Sequence, residues 1–437
     1  MNINERISSR LGISSLLPMQ EEMLKLTLPS KVLLCAPTGS GKTLAFAIAI
    51  LRTLKKEGDG VKALVIAPTR ELVLQIFDIV RTLSAPEYKT TAVYGGHSFS
   101  TEAASLEGLP DIVVGTPGRI LDHLRRGRLN IYSTGTLVID EFDKALELGF
   151  TEEMKAITGR MKNVRTMVLT SATRGTLPEF IGAVEHELDY RTSDDTVKPD
   201  LSLFKVESSS PDKLDTLGAL LRTLGTTKTI VFLNHREAAE RVFNYLHNEG
   251  FPAILYHGGM EQQMRERSLI LFENGTCPIL VSTDLAARGL DIDDVEAVIH
   301  YHLPVNAEAW THRNGRTARM GKCGSSYTII SEHDKVPDFV NAEELFEPSP
   351  SERALPSPVA TLYFNVGKKD KISRGDIVGF LIHKGGLEPS EIGRIDIKDH
   401  CAYIAVPANK SRATAQAVAP YKIKNTRVRV TQLKNIL

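Results

Sequence analysis

Two short runs hold residue types that could act on a phosphoanhydride. In APTGSGKT, Ala36 to Thr43, glycines and a lysine stand between the apolar run KVLLC and a helix-forming stretch. Gly39 and Gly41 let backbone N–H groups turn inward around phosphate oxygens, and the positive end of the following helix adds to that field. Lys42 can reach β- and γ-phosphates, and the Thr43 hydroxyl can ligate Mg²⁺. In VIDEFDK, Val138 to Lys144, a β-branched run ends in three carboxylates with a phenylalanine among them. A phosphate-loop enzyme needs an acid at a second strand end, and Asp140 is placed to hold Mg²⁺ through water. Glu141 is placed to orient or deprotonate the attacking water. Asp143 reads as an acceptor towards neighbouring loops, and Phe142 as a ring that packs inward. A solvated acidic loop would not explain a strand aimed into it.

Such groups need strands to aim them. KVLLCAP, KALVIAP, TTAVYGG, DIVVGTP, TLVID and TMVLTSA are strand-like runs, nearly all ending in Gly, Pro, Thr or Asp and separated by helical stretches. Near-continuous β-branched runs are what a parallel sheet covered on both faces requires. Open α/β sheets bind ligands outside the carboxyl ends of their strands, where the chemically unusual residues lie. The pattern restarts with LFKVES, KTIVFLN, PAILYHG, PILVSTD, EAVIHYHLP and SSYTII. The expected organisation is an α/β domain over 1–200, a second over 201–345, a Pro- and Ser-rich linker over 346–358, and a module over 359–437. In that module ATLYFNV, a helix, IGRIDIK, CAYIAVP, a second helix and TRVRVTQL give the order βαββαβ, a small α+β sandwich.

Composition excludes several classes. The chain has 437 residues, 42% hydrophobic and 24% charged, as expected of a soluble globular protein with more than one domain. MNINERISSR has no apolar signal region, and the run LAFAIAIL is too short to span a bilayer. Cys35, Cys277, Cys323 and Cys401 show no paired metal-ligand spacing and fit a reducing cytoplasm. The net charge of zero conceals a division. From Pro358 onward there are fourteen Lys/Arg against six Asp/Glu, so that piece is at about +8 and the remainder at about −8. A basic module on an acidic body suggests a polyanion partner, with a solvated surface as the plainer alternative.

Taken together, PMQ, APTGSGKT, PTREL, GG, TPGR, DEFD, SAT, VFLN, HGGMEQQMR, STDLAARGLDI and HRNGRTAR resemble the ordered motifs of the DEAD-box ATP-dependent RNA helicases of superfamily 2. The resemblance covers about the first 330 residues. It implies an α/β fold of two RecA-like parallel-sheet domains in tandem that close on ATP and single-stranded RNA. It implies that Gln20 reads the adenine, that Thr38, Gly39, Ser40, Gly41, Lys42 and Thr43 hold phosphates and Mg²⁺, and that Gly289 and Asp291 lie by the ribose. Asp140 and Glu141 become the metal and water-activating carboxylates. Asp143, Ser171, Thr173 and His312 couple hydrolysis to RNA separation and support the closed state. Arg316 and Arg319 are the expected arginine fingers, whose guanidinium forks neutralise charge on the transferring phosphoryl group. The implied RNA path runs through Pro68, Thr69, Arg70, Gly95, Gly96, Thr116, Pro117, Gly118 and Arg119, then Gln262, Arg265, Thr283 and Asp284. Glycines and threonines suit contact with a phosphate backbone without reading sequence.

This chain departs from the family's usual pattern at four places. Phe142 makes the acidic box DEFD. Ile3 falls near the position of an upstream aromatic that stacks on adenine. Asn314 and Ala318 stand where an apolar residue and a glycine are usual. The last domain is similar to the RNA-binding domain of DbpA-type helicases, through GKKDKISRGDIVGFL, GLEPSEIGRIDIKD, AYIAV and KIKNTRVRV. Its strand order resembles an RNA recognition motif but lacks the aromatic-rich consensus, CAYIAV offering only Tyr403. Lys368, Lys369, Lys371 and Arg374 crowd one loop and helix start, and Lys422, Lys424, Arg427 and Arg429 crowd the last strand; phosphate contact or a solvated face both suit them. The resemblance implies a monomeric, cytoplasmic helicase using ATP and Mg²⁺, tethered to large-subunit ribosomal RNA during ribosome assembly. The rivals are an ATP-gated RNA clamp that hardly turns over and a general RNA chaperone.

Overall fold

The computed structural model describes residues 2–37, 39–55, 60–96, 99–172, 177–191, 200–284, 295–318, 323–342, 344–349 and 353–433. The chain divides into two compact units, one over Met1–Lys198 and one over Pro199–Ala287 and Ile292–Leu437.

In the first unit, seven strands form a parallel sheet in the order Thr90–Val93, Ile112–Gly115, Ala63–Ile66, Thr136–Ile139, Thr166–Ser171, Lys31–Cys35, His186–Asp189. Its central strands are buried on both faces, and alternation along them divides the core in two. Val32, Leu34, Val65, Val114, Val138 and Val168 point towards the helices Lys42–Thr53 and Arg70–Ser84. Leu33, Cys35, Leu64, Ile66, Val113, Leu137, Ile139 and Leu169 point the other way, towards Ile120, Ala145 and Met154. All strands being parallel, their carboxyl ends share one edge, which gathers the motifs that follow them. The seventh strand, HELD, has no sequence signal because Leu188 alone of its residues is buried.

The second unit holds two larger sheets beside a two-stranded hairpin. One is parallel, in the order Ala253–Tyr256, Ile279–Thr283, Thr229–Leu233, Ala297–His300, Gly324–Ser331, Leu201–Ser208, Glu344–Leu345. The two parallel sheets are RecA-like domains in tandem. The other sheet of this unit is antiparallel, in the order Ile395–Ile397, Ala402–Pro407, Val359–Phe364, Val430–Gln432. One face of it packs Leu362, Phe364, Ile404 and Val406 against Ile377, Phe380, Leu381 and Val418 of the helices Arg374–His383 and Ala408–Val418. TRVRVTQL, expected as one strand, is broken. Thr426–Arg427 pairs in a hairpin with Lys422–Ile423, Val428 turns into the core, and only Val430–Gln432 joins the sheet. Lys424 and Asn425 both adopt positive φ (43° and 68°), the geometry of a tight two-residue hairpin turn.

Much of the Pro- and Ser-rich segment is tied down. The Phe346 amide donates to the Lys205 carbonyl, and its ring packs on Phe204 and Tyr327. Thr223 donates to the Ser349 carbonyl at 2.8 Å, and Ala354 packs on the core of the parallel sheet. The antiparallel sheet also docks there. Thr361, fully buried on the face away from its own helices, meets Asn274 Nδ2 at 3.1 Å and Thr276 Oγ1 at 2.7 Å. Arg394 pairs with Glu273 at 2.7 Å. Tyr363 and Tyr403, cross-strand partners on this face with centroids 5.5 Å apart, form an aromatic pair where the sequence suggested one tyrosine. Among the described residues no helix is long and apolar enough to cross a membrane.

Candidate functional site

The loop expected to hold phosphates is built by backbone geometry. Gly39 and Gly41 adopt φ of 78° and 88°, which a side chain disfavours. Gly41 caps the helix Lys42–Thr53, whose first N–H groups have no carbonyl within the helix to donate to. A Cβ on Gly41 would lie 2.5 Å from Gln20 Nε2, so glycine also makes room for Gln20. Gln20 is fixed at both ends: its Oε1 accepts from the Leu17 amide at 2.9 Å and its Nε2 donates to the Gly41 carbonyl at 3.1 Å. Ser40 donates to the Pro37 carbonyl, and Thr43 is half-buried. Lys42 is buried and donates to the carbonyls of Ala36 and Pro37 at 2.7 and 2.8 Å. Burial pulls its pKa down, against the opposing pull of Asp140, Glu141 and Asp143. Ile3, in the helix Ile3–Leu11, is partly buried against the core.

The acidic box stands at the end of the strand Thr136–Ile139. Burial, then the Glu141 carboxylate, push Asp140 up to about 6, and Thr170 Oγ1 donates to it. Glu141 has φ 48°, a conformation that stores strain in a residue other than glycine. Its backbone N–H donates to Thr170 at 3.1 Å, while its buried Oε2 has no hydrogen-bond partner among the described residues. Asp143 accepts from Ser171 Oγ at 2.6 Å, which ties the box to the next strand. Phe142 is 2% exposed and lies in the apolar cluster with Ile139, Ala145, Met154 and Leu169. The ring is a core residue, and the carboxylates on either side of it face the loop edge. Buried carboxylates beside a phosphate cradle, one with an unsatisfied oxygen, are a donor set that fits a hydrated divalent cation.

Along the same edge, Thr69 caps the helix Arg70–Ser84 by accepting from the Leu72 amide, and Pro68 is buried beside it. Gly95 and Gly96 lie under the Arg70 guanidinium; a Cβ on Gly96 would sit 2.3 Å from its Nη1. Thr116 and Pro117 start the helix Pro117–Arg125, with Gly118 exposed and open to approach. Arg119 Nε donates to Glu102 at 2.6 Å. Glu102, buried, also accepts from the Tyr94 amide at 2.9 Å and lies 2.8 Å from His123 Nε2, so one carboxylate links two motifs. No sequence signal marked it.

In the second unit, Thr283 is buried at a strand end and Arg265 donates to the Tyr256 hydroxyl at 2.9 Å. Gln262 bonds Glu266 at 3.1 Å. Asp284 receives the Arg313 fork at 2.5 and 2.7 Å, and Arg313 also donates to Asn234 and to the His302 carbonyl. This buried arginine was not singled out from the sequence. His312, on the helix Ala307–Asn314, and Arg316, in the turn just past its end, are buried, with Arg316 Nε 3.4 Å from the His312 carbonyl. Ala318 has φ 54°, the left-handed conformation that accounts for the glycine usual at this position. Thr38, Thr173, Gly289, Asp291 and Arg319 lie outside the described residues.

The two basic clusters of the last domain touch through Lys424. Lys424 pairs with Asp376 at 2.7 Å and reaches the Lys371 carbonyl, bringing the hairpin Lys422–Arg427 beside Lys368, Lys369, Lys371 and Arg374. Lys424 and Ser373 together draw the Asp376 carboxyl down to about 2. Arg374 donates to the Ile395 carbonyl at 3.1 Å.

The sequence matches the DEAD/DEAH box helicase family over residues 17–179, the helicase conserved C-terminal domain over 212–321, and the DbpA RNA binding domain over 361–432. It is 33% identical to the ATP-dependent RNA helicase DbpA of Escherichia coli K12, over 99% of this chain and 96% of that one. The chain belongs to the DbpA-type DEAD-box RNA helicases. To the Bacillus subtilis DbpA it is 31% identical, over 97% of this chain and 95% of that one. Among solved structures, Mss116p bound to single-stranded RNA and AMP-PNP is similar with TM-score 0.67 and 26% identity, over 80% of this chain and 78% of that one. As a DEAD-box helicase, the chain binds RNA and hydrolyses ATP in an RNA-stimulated reaction.

Proposed function

We propose that this helicase unwinds short RNA duplexes locally while its basic C-terminal face holds large-subunit ribosomal RNA. Gln20 receives the adenine and the loop from Gly39 to Thr43 the phosphates. Lys42 leaves the carbonyls of Ala36 and Pro37 for the phosphate oxygens. Thr43, and Asp140 through water, would hold Mg²⁺, which supplies charge neutralisation at the β- and γ-phosphates when bound. Glu141 directs its unpartnered oxygen at the attacking water. Arg316 and Arg319 complete the charge on ATP-driven closure, and Asp143 with Ser171 passes the change to the RNA path. The observation that supports the anchored reading most is that Lys424 ties the hairpin 422–427 to Asp376 and to the Lys371 carbonyl, so the two basic stretches are neighbours.

The test is steady-state ATPase rate against RNA concentration, comparing a large-subunit ribosomal RNA fragment with an unrelated duplex of equal length. The anchored reading expects half-activation at least about tenfold lower with the ribosomal fragment, and loss of that difference on reversing Lys368, Lys369 and Lys371 to Glu. Equal activation by both RNAs would leave a general RNA helicase.

A further inference from the structure

Asn314 stands where the family usually carries an apolar side chain, and it is 8% exposed. A buried amide needs partners, and two strands supply them. His300, ending the strand Ala297–His300, brings Nε2 to 3.0 Å from Asn314 Oδ1. Ser326, on the neighbouring strand Gly324–Ser331, donates to the same oxygen at 2.7 Å and lies 3.1 Å from His300 Nε2. His300 and Ser326 are fully buried. The amide oxygen can only accept, so Nε2 carries the ring proton, and Nδ1 is left as an acceptor. That Nδ1 faces Arg313 Nη1 at 3.5 Å. Trp310 stacks on the ring with centroids 4.5 Å apart and fixes its plane. Burial first, then Arg313, push His300 down to about 3, so the ring is neutral across the working range.

The helix Ala307–Asn314, which carries Arg313 and Asn314, runs into the turn that leads to Arg316. Arg316 N donates to the Arg313 carbonyl and Thr317 N to the Asn314 carbonyl, each at 3.1 Å. Thr317 Oγ1 anchors the far side on the Val295 carbonyl at 2.6 Å. We propose that His300 and Asn314 are paired positioning residues for ATP hydrolysis, one ring setting the Arg313 guanidinium on one side and the turn that presents Arg316 on the other. Either polar residue alone would meet only Ser326; the three together satisfy one another. The proposal rests on reading Arg316 as a finger.

The experiment measures kcat, the KM values for ATP and RNA, and thermal melting of the full chain carrying His300→Phe, Asn314→Leu, both together, His300→Gln, or Arg316→Ala. The two single apolar variants are expected to lose about tenfold in kcat with the RNA KM within about twofold, since misplacing a fixed charge acts on the transition state. The double variant, which also carries Ser326→Ala because that buried hydroxyl would otherwise lose both its partners, recovers most of that loss, since no donor or acceptor of the cluster remains stranded. His300→Gln, whose amide nitrogen reaches the Nε2 position, stays within about threefold of the parent. Additive losses in the double variant, or an unchanged kcat in a folded single variant, would overturn the pairing. If the single apolar variants fail to fold, His300→Gln against the double variant decides: a tenfold loss in both rejects it. An unaltered kcat in Arg316→Ala would instead remove the finger reading beneath it.

Discussion

At the residue scale, the acidic box shows how position divides neighbouring side chains. Phe142 and Asp143 are adjacent, yet one enters the apolar core and the other bonds Ser171. Asp140 is the costly member. Its pKa is raised in the fold to about 6 from an ordinary 3.8, so the folded state holds that proton more tightly than the unfolded chain. Stability from this group is therefore lost as pH rises from about 4 to about 6, and the loss is complete above that. Asp140→Asn should melt higher than the parent at about pH 8 without nucleotide or Mg²⁺, and the gap should close towards about pH 4. Melting curves at several pH values check this; a gap that does not depend on pH contradicts the assigned cause. The same substitution removes a proposed cation-binding oxygen and should abolish turnover.

At the element scale, the docking of the antiparallel sheet on its parallel neighbour turns on one buried hydroxyl. Thr361 meets both Asn274 and Thr276, and burial raises the Glu273 carboxyl against the lowering effect of Arg394. Thr361→Val keeps shape and strands the Asn274 amide, so it should destabilise by about 1–3 kcal/mol in denaturant unfolding, while Thr361→Ser loses less. A valine variant as stable as the parent would show that the junction does not depend on these bonds. The Pro- and Ser-rich stretch precedes this sheet in the sequence. It has the composition of a linker, yet Phe346 and Ala354 pack on the parallel sheet's core. Composition reports what a segment does by itself; here a neighbouring surface supplies the apolar contacts.

At the scale of the whole molecule, an acidic body carries a basic module, and Lys424 brings two of that module's basic stretches together. Phosphate contact releases counterions, so the RNA concentration for half-activation should rise steeply with salt, with a log–log slope of about 0.7 per single-stranded phosphate engaged. Reversing Lys368, Lys369 and Lys371 should flatten that slope. An ATPase titration at several salt concentrations tests it, and an unchanged slope would place the RNA contacts elsewhere.

The tandem parallel sheets, the glycine-rich loop and the carboxylates at a strand end were legible in the residue order. Buried parallel strands need continuous apolar runs, and phosphate chemistry needs particular residues at fixed spacing, so both leave local traces. The strand HELD, the break after Arg427, the Glu102 link to Arg119 and the Tyr363–Tyr403 pair left none. These depend on residues far apart in the chain that meet only after folding. Asn314 shows the division most plainly. As a letter in a motif it is a departure, and only the packing of His300 and Ser326 around it makes a buried amide affordable, because a polar group's free energy in a core is set by its partners.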